Sequence, residues 1–145
     1  MLLSRRGAVA RALAGIAAAF SARPAAAATG GVPKVAYHLA DLDKVAFVLG
    51  NIENHIAGEA GKVEIVLVVH GPALALFQTA RTNPDIARRL AGIAKSGVGL
   101  AACGNTMDAQ KVSLADLLPG FVRVDEGGVV RLARLQAEGY AYLRP

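Results

Sequence analysis

The chain carries a single cysteine, Cys103, and three histidines, His38, His55 and His70. These are the side chains whose chemistry the rest of the sequence has to position. Cys103 closes the apolar run Gly97-Val98-Gly99-Leu100-Ala101-Ala102-Cys103, and Gly104-Asn105-Thr106-Met107 follows it. A run of that length and composition predicts a strand. Gly104 then allows a sharp turn, and Asn105 or Thr106 can cap a helix that begins near Met107. A thiol at a strand-to-helix junction sits beside unpaired backbone N–H groups and the positive end of a helix dipole. Both favour the thiolate, the nucleophilic form. The competing reading makes Cys103 one more small buried hydrophobe, as free cysteines commonly are.

Two of the histidines fall at corresponding places. His38 closes the run Lys34-Val35-Ala36-Tyr37-His38, and His70-Gly71-Pro72 breaks the run Lys62 to Val69. The candidate site is therefore Cys103, with His38, His70, Gly71, Gly104, Asn105 and Thr106 around it at the carboxyl edge of a sheet, where open α/β folds bind ligands. His55 lies on a helical stretch beside Asn51, at i and i+4, and is not placed in the site. No G-x-G-x-x-G or G-x-x-x-x-G-K-[ST] follows any strand, so neither a dinucleotide nor a P-loop phosphate is expected, and no cofactor is assigned. There is no H-E-x-x-H and no cysteine pair at zinc spacing. His38, His70 and Cys103 would make a three-ligand metal site only if they converge, and no metal is assigned.

The amino terminus reads as an export signal. Met1 to Arg6 is a short basic head, Gly7 to Phe20 a mostly apolar stretch rich in Ala and Gly, and Ser21 to Ala28 ends in an A-x-A-type cleavage site. Ser4-Arg5-Arg6 is similar to the start of a twin-arginine signal. Residues 1–28 are thus expected to be removed, 29–33 to be a linker, and 34–145 to form one α/β domain in the periplasm. The apolar stretch is shorter than the ~20 residues that span a bilayer, so stable membrane insertion is not expected. Four of the 16 basic residues (Arg5, Arg6, Arg11, Arg23) and no acid lie in 1–28, which leaves twelve basic against eleven acidic residues beyond it. The basic character belongs largely to the signal, and no basic stripe interleaved with aromatics follows, so a nucleic-acid partner is excluded from the reading. A lone cysteine makes no internal disulfide, and in an oxidising compartment a free thiol is exposed to over-oxidation.

The elements that must position the site alternate. A strand at Lys34–His38 precedes a helix that Asp41 can cap and that runs to about Ala57, with Val45, Leu49, Ile52 and Ile56 on one face. A second strand over Lys62–Val69 ends in five apolar residues, as suits a strand covered on both faces. A short helix from Ala73 to about Arg81 and a longer one from Asp85 to Ser96 come next. After the strand to Cys103 and its helix, a short helical turn at Leu114–Leu118 leads to a fourth strand, Phe121–Val124. Gly127-Gly128 opens a last helix that Gly139 stops, and Tyr140–Leu143 is a closing strand. Alternation of this kind predicts a three-layer α/β/α sandwich around a mostly parallel five-stranded sheet.

Several of these segments together resemble the DsrE/DsrF-like family, in its small single-domain branch. They are Tyr37-His38, Asn54-His55, His70-Gly71-Pro72, Ala102-Cys103-Gly104-Asn105-Thr106 and the closing Arg134-Leu135-Gln136-Ala137-Glu138-Gly139-Tyr140-Ala141-Tyr142. The family includes subunits of bacterial sulfur-relay complexes. The resemblance implies a three-layer fold assembled as a trimer or hexamer, and a cysteine at the position of Cys103 that accepts sulfane sulfur as a persulfide and passes it on.

Three functions follow. In the first the protein is a sulfur carrier or persulfide-forming transferase, with Cys103 as nucleophile, His38 and His70 tuning its charge, the Gly104–Thr106 backbone holding the transferred sulfur, and a donor or acceptor protein as partner. In the second it is a non-catalytic oligomeric protein that binds a small ligand or metal in the strand-end crevice. In the third it is a structural oligomer with a vestigial site.

Overall fold

The structure, a computed structural model, describes residues 30–145; the expected signal segment 1–28 and the first linker residue lie outside the described residues. Five strands form one sheet: β1 (Lys34–Leu39), β2 (Glu64–Val69), β3 (Gly99–Cys103), β4 (Phe121–Val124) and β5 (Ala141–Leu143). Their order is β4-β3-β2-β1-β5, and every strand pair is parallel. The expected "mostly parallel" sheet is thus fully parallel; among the described residues an antiparallel bridge, Gln78 to Leu117, lies outside it.

The helices are α1 (Val45–Gly58), α2 (Pro84–Lys95), α3 (Gly104–Gln110) and α4 (Gly128–Ala137). From β1 to β4 the chain steps across the sheet in one direction, and α1, α2 and Met107 of α3 join the core on one face. There they cover Tyr37, Leu39, Leu67, Val69, Leu100, Ala102 and Phe121. The connection from β4 to β5 runs back the other way. A right-handed crossover then has to place its helix on the opposite face, where α4 packs Leu132 and Leu135 on Ala36, Val68, Ala101 and Val124. Buried side chains such as Ile86, Leu90 and Ile93 of α2 each contribute about 1.5–3 kcal/mol by leaving water. Among the described residues no helix is long and apolar enough to cross a membrane.

Three local expectations are corrected. Asp41 does not cap α1: a 3-10 turn at Leu42–Lys44 stands between them, and the Asp41 carboxylate makes no cap bond and instead pairs with Arg144 at 3.1 Å. The segment after His70 is a 3-10 helix, Gly71–Phe77, because Gly71 at φ +60° and Pro72 turn the chain too tightly for α geometry. The helical turn expected before β4 is present as a 3-10 turn (Leu114–Asp116), in which the Asp116 carboxylate accepts from the Ser113 N–H at 2.7 Å and hydroxyl at 2.8 Å. Helix α3 begins at Gly104 rather than near Met107, so Asn105 and Thr106 lie inside it and cap nothing; the N-cap position is Cys103 itself.

Candidate functional site

Period-2 alternation decides which side chains meet. Ala36 and His38 of β1, Val68 and then His70 beyond β2, and Ala101 and Cys103 of β3 all point to the α4 face, while Tyr37, Leu39, Val69 and Ala102 point to the other. His70 follows the Val69–Ala102 pair in register, which sets it opposite Cys103. The β4-to-α4 turn lies at this same carboxyl edge, so α4 starts above the thiol.

That start is made of glycines for a steric reason. A β-carbon on Gly128 would lie 3.3 Å from His70 Cβ, 3.4 Å from Cys103 Cβ and 3.5 Å from Val68 Cγ1. Gly127 adopts φ +92°, and a β-carbon there would meet the Asn105 amide at 2.8 Å. On the other side, a β-carbon on Gly104 would stand 2.9 Å from the Val124 carbonyl oxygen. Two helix starts are thereby brought against one sulfur atom, with N–H groups that have no partner inside their helices.

Cys103 is 5 % exposed. Burial pushes its thiol up, but the groups around the sulfur outweigh that effect: the Thr106 hydroxyl and the backbone N–H groups of Gly128, Thr106 and Asn105 favour the thiolate by hydrogen bonding and hold the thiol below its ordinary value. Thr106 is oriented for the task. Its Oγ1 accepts the Gly71 N–H at 2.9 Å, which leaves its own proton for the sulfur. Gln110 adds support by donating Nε2 to the Gly71 carbonyl at 2.9 Å. Arg123 ties β4 to α3 through a two-pronged pair with Asp108 at 2.9 and 3.0 Å.

A cavity of about 270 Å³ opens onto this sulfur. It is lined by His70, Cys103, Asn105 and Thr106, by Glu126 to Gly128, and by the exposed Val129 and Val130. His38 does not reach it. Its ring meets that of His70 edge to edge and nearly coplanar, with centroids 4.6 Å apart and the two Nε2 atoms in hydrogen-bonding contact, and its Nδ1 meets the Tyr142 hydroxyl at 2.6 Å. Burial, then the charges of His70 and Arg144, push His38 down to about 4 against a smaller opposing effect of Asp41. His70 is lowered too, by burial first and Arg144 second.

Of the residues singled out in the sequence, Cys103, His70, Asn105 and Thr106 share the cavity. Gly71 acts one step away by orienting Thr106, Gly104 permits the close start of α3, and His38 stands behind His70. His55 binds the Tyr37 hydroxyl at 2.9 Å on the far face of the sheet. Among the described residues no group of three or more His, Cys, Asp or Glu side chains is placed to hold a metal ion. Gly127, Gly128 and Tyr142 were missed. The signal for the first two was the Gly-Gly pair itself, at the one helix start that the reversed crossover carries over the site.

A family model described as the DsrE/DsrF-like family matches residues 6–145. Among solved structures, a protein of unknown function, MTH1491 from Methanobacterium thermoautotrophicum, superimposes with a TM-score of 0.69 at 28% identity, over 78% of this chain and 99% of that one. The YchN protein of E. coli gives 0.58 at 15% identity, over 77% and 99% of the two chains. A conserved protein of unknown function, BT1422 from Bacteroides thetaiotaomicron, gives 0.59 at 15% identity, over 77% and 95%. No curated protein matches the chain. Match and architecture agree over the whole of the described domain: the chain belongs to the DsrE/DsrF-like family.

Proposed function

We propose that the protein is a sulfur carrier in which Cys103 accepts sulfane sulfur as a persulfide and hands it to an acceptor. One observation carries the reading: Cys103 is buried, yet it lines a cavity with Asn105, Thr106 and Gly128, whose N–H and O–H groups favour its thiolate and lower the thiol despite the burial. A structural cysteine has no use for donors that stabilise negative charge, whereas a nucleophile and the persulfide anion that replaces it both need them. The Cys103 thiolate attacks the outer sulfur of a donor R–S–SH. The new S–S bond forms as the donor's own S–S bond breaks, and RS⁻ leaves with the electron pair and takes up a proton. In the onward step an acceptor thiolate attacks the outer sulfur, and Cys103 leaves as thiolate. The cavity of about 270 Å³ has room for the extra sulfur and the end of a small donor.

The test is cyanolysis. After incubation with glutathione persulfide and desalting, cyanide should release thiocyanate in a ratio near one per chain, and none from Cys103→Ser. Equal release from the Ser variant would refute the reading.

Two further parts of the reading concern where the protein works and in what state. Export to the periplasm is supported by Arg5-Arg6 and Ala26-Ala27-Ala28. Processing near Thr29 that stops when both arginines become lysine is the expected result, and full-length protein in the cytoplasm of the native host would contradict it. Self-association, as a trimer or a multiple of one, is supported by the sheet face that α4 leaves open. There Val122 is 65% exposed, and a groove of about 330 Å³ runs along Val66, Gly99, Ala101 and Val124. A concentration-independent monomer mass by light scattering would contradict it.

A further inference from the structure

We propose that His70 is the proton donor and acceptor for the sulfur site, and that His38 and Tyr142 connect it to solvent as one proton-transfer chain. The inference rests on the carrier reading for its reaction, and on geometry for its parts.

Three observations define the chain. His70 lines the cavity beside Cys103, and among the described residues its Nδ1 has no hydrogen-bond partner, while no fully buried polar side-chain atom is left unpaired; Nδ1 therefore opens onto accessible space. Its Nε2 contacts His38 Nε2, and His38 Nδ1 contacts the Tyr142 hydroxyl at 2.6 Å. Tyr142 is 40% exposed, so its oxygen can exchange protons with water.

Two nitrogen atoms in contact hold one proton between them, and a neutral imidazole carries one N–H. Only two neutral arrangements satisfy both contacts. In one, His70 Nε2–H donates to His38 Nε2, His38 Nδ1–H donates to the Tyr142 oxygen, and His70 Nδ1 presents a lone pair. In the other, the Tyr142 hydroxyl donates to His38 Nδ1, His38 Nε2–H donates to His70 Nε2, and His70 Nδ1 carries the proton. A proton accepted at His70 Nδ1 converts the first into the second while one leaves at Tyr142. A proton given up at Nδ1 reverses the shift. Neither ring becomes an imidazolium at any point.

The surroundings suit neutral rings. Arg144 and Asp41 are the charged groups facing the pair, and they neutralise each other through their 3.1 Å bridge. Glu126 at the cavity rim is engaged by Arg134 at 2.7 Å, and the start of α4 that packs against His70 is Gly128, with no titratable side chain. Both rings are lowered from the ordinary histidine value, as neutral members of such a chain require.

In the reaction the chain supplies the one proton that sulfur transfer needs. His70 Nδ1 protonates the departing RS⁻, its Nε2 is refilled from His38 Nε2, His38 Nδ1 is refilled from Tyr142, and water refills Tyr142. The Cys103 proton is lost to solvent in the prior thiol–thiolate equilibrium, which alkylation shares, and in the onward step the reverse shift takes up the acceptor thiol's proton. The sum is Cys103–SH plus R–S–SH giving Cys103–S–SH plus RSH.

Two reactions of the same sulfur separate this role from a structural one. Both reactions start from the Cys103 thiolate: alkylation by iodoacetamide then expels iodide, which takes up no proton, whereas in transfer from glutathione persulfide His70 Nδ1 assists the departing thiolate with one. Tyr142→Phe and His38→Gln should slow transfer about tenfold or more at neutral pH and leave alkylation close to the wild-type rate. Variants that transfer as fast as wild type, or that slow both reactions equally, overturn the chain. Should the wild type take up no sulfur, the carrier reading falls, and the chain is decided by long-range ¹H–¹⁵N spectra. Both rings neutral at pH 7 with averaged Nε2 signals support it, and an imidazolium in either ring overturns it.

Discussion

Thr106→Val removes one hydroxyl and keeps the shape of the side chain, so it isolates the strongest single donor to Cys103. A hydrogen bond to a charged acceptor contributes about 1.5–3 kcal/mol, which is roughly ten- to a hundredfold in the thiol–thiolate equilibrium. The rate of alkylation falls by less than the thiolate population. The more basic thiolate is also the better nucleophile, with a Brønsted coefficient of about 0.4–0.5, so about half of the logarithm survives. Iodoacetamide should therefore react roughly three- to tenfold more slowly at neutral pH, with the pH profile displaced upward. The variant also strands the Gly71 N–H that Thr106 accepts at 2.9 Å, at a cost of about 1 kcal/mol in urea unfolding. Thr106→Ser restores both bonds and should restore both readouts. Valine and serine variants that alkylate alike, at the wild-type rate and with the wild-type pH profile, would refute the donor set as the cause of the lowered thiol.

Gly128→Ala should destabilise by about 1–2 kcal/mol in urea melts: overpacking costs about 1–3, against up to about 1 regained from helix propensity, because the new β-carbon meets His70 and Cys103 at 3.3 and 3.4 Å. It should also slow alkylation by lifting the Gly128 N–H from the sulfur; an unchanged melt would show that α4 has room there. Cys103→Ser should cost less than about 1 kcal/mol, since its hydroxyl inherits the waiting donors; a loss of several kcal/mol would mark Cys103 as core. Acid should weaken the fold through the histidines. His38 stands at about 4 against an ordinary 6.5, so the unfolded chain takes up the proton first; stability is full above about 6.5 and is lost as pH falls towards 4. The loss is on the order of 2 kcal/mol, His70 acts in the same direction, and His38→Gln should flatten the slope between pH 7 and 5. A slope unchanged in that variant would contradict the assignment.

Much of this was legible in the chain because parallel strands write themselves as short apolar runs. The five strands and the three long helices fall where those runs and the helical spacing put them, with ends moved by a few residues. What sequence spacing left open was convergence, and parity supplied it. His38, His70 and Cys103 share a face because each lies an even number of residues from a neighbour buried under α4, which can be read only once the register is known. Gly71-Pro72 looked like the break before an α-helix, but a residue at φ +60° followed by proline favours the tighter 3-10 turn. Asn105 and Thr106 looked like caps because helix starts favour those residue types at the cap position. Here the helix starts one residue after the thiol, and Thr106 serves the sulfur instead. Tyr142 was hidden by distance: 104 residues separate it from His38, and only the return of β5 to the edge of β1 brings them together.

The claim on which the rest depends is that Cys103 carries sulfur, and intact-mass analysis of the purified protein tests it most directly. After incubation with a sulfane donor, the mass should rise by ~32 Da, one sulfur. Fragmentation should place the gain on Cys103, and a thiol reductant should remove it. A folded protein whose mass does not change under these conditions, with a Cys103 that also ignores iodoacetamide until the chain is unfolded, would contradict it.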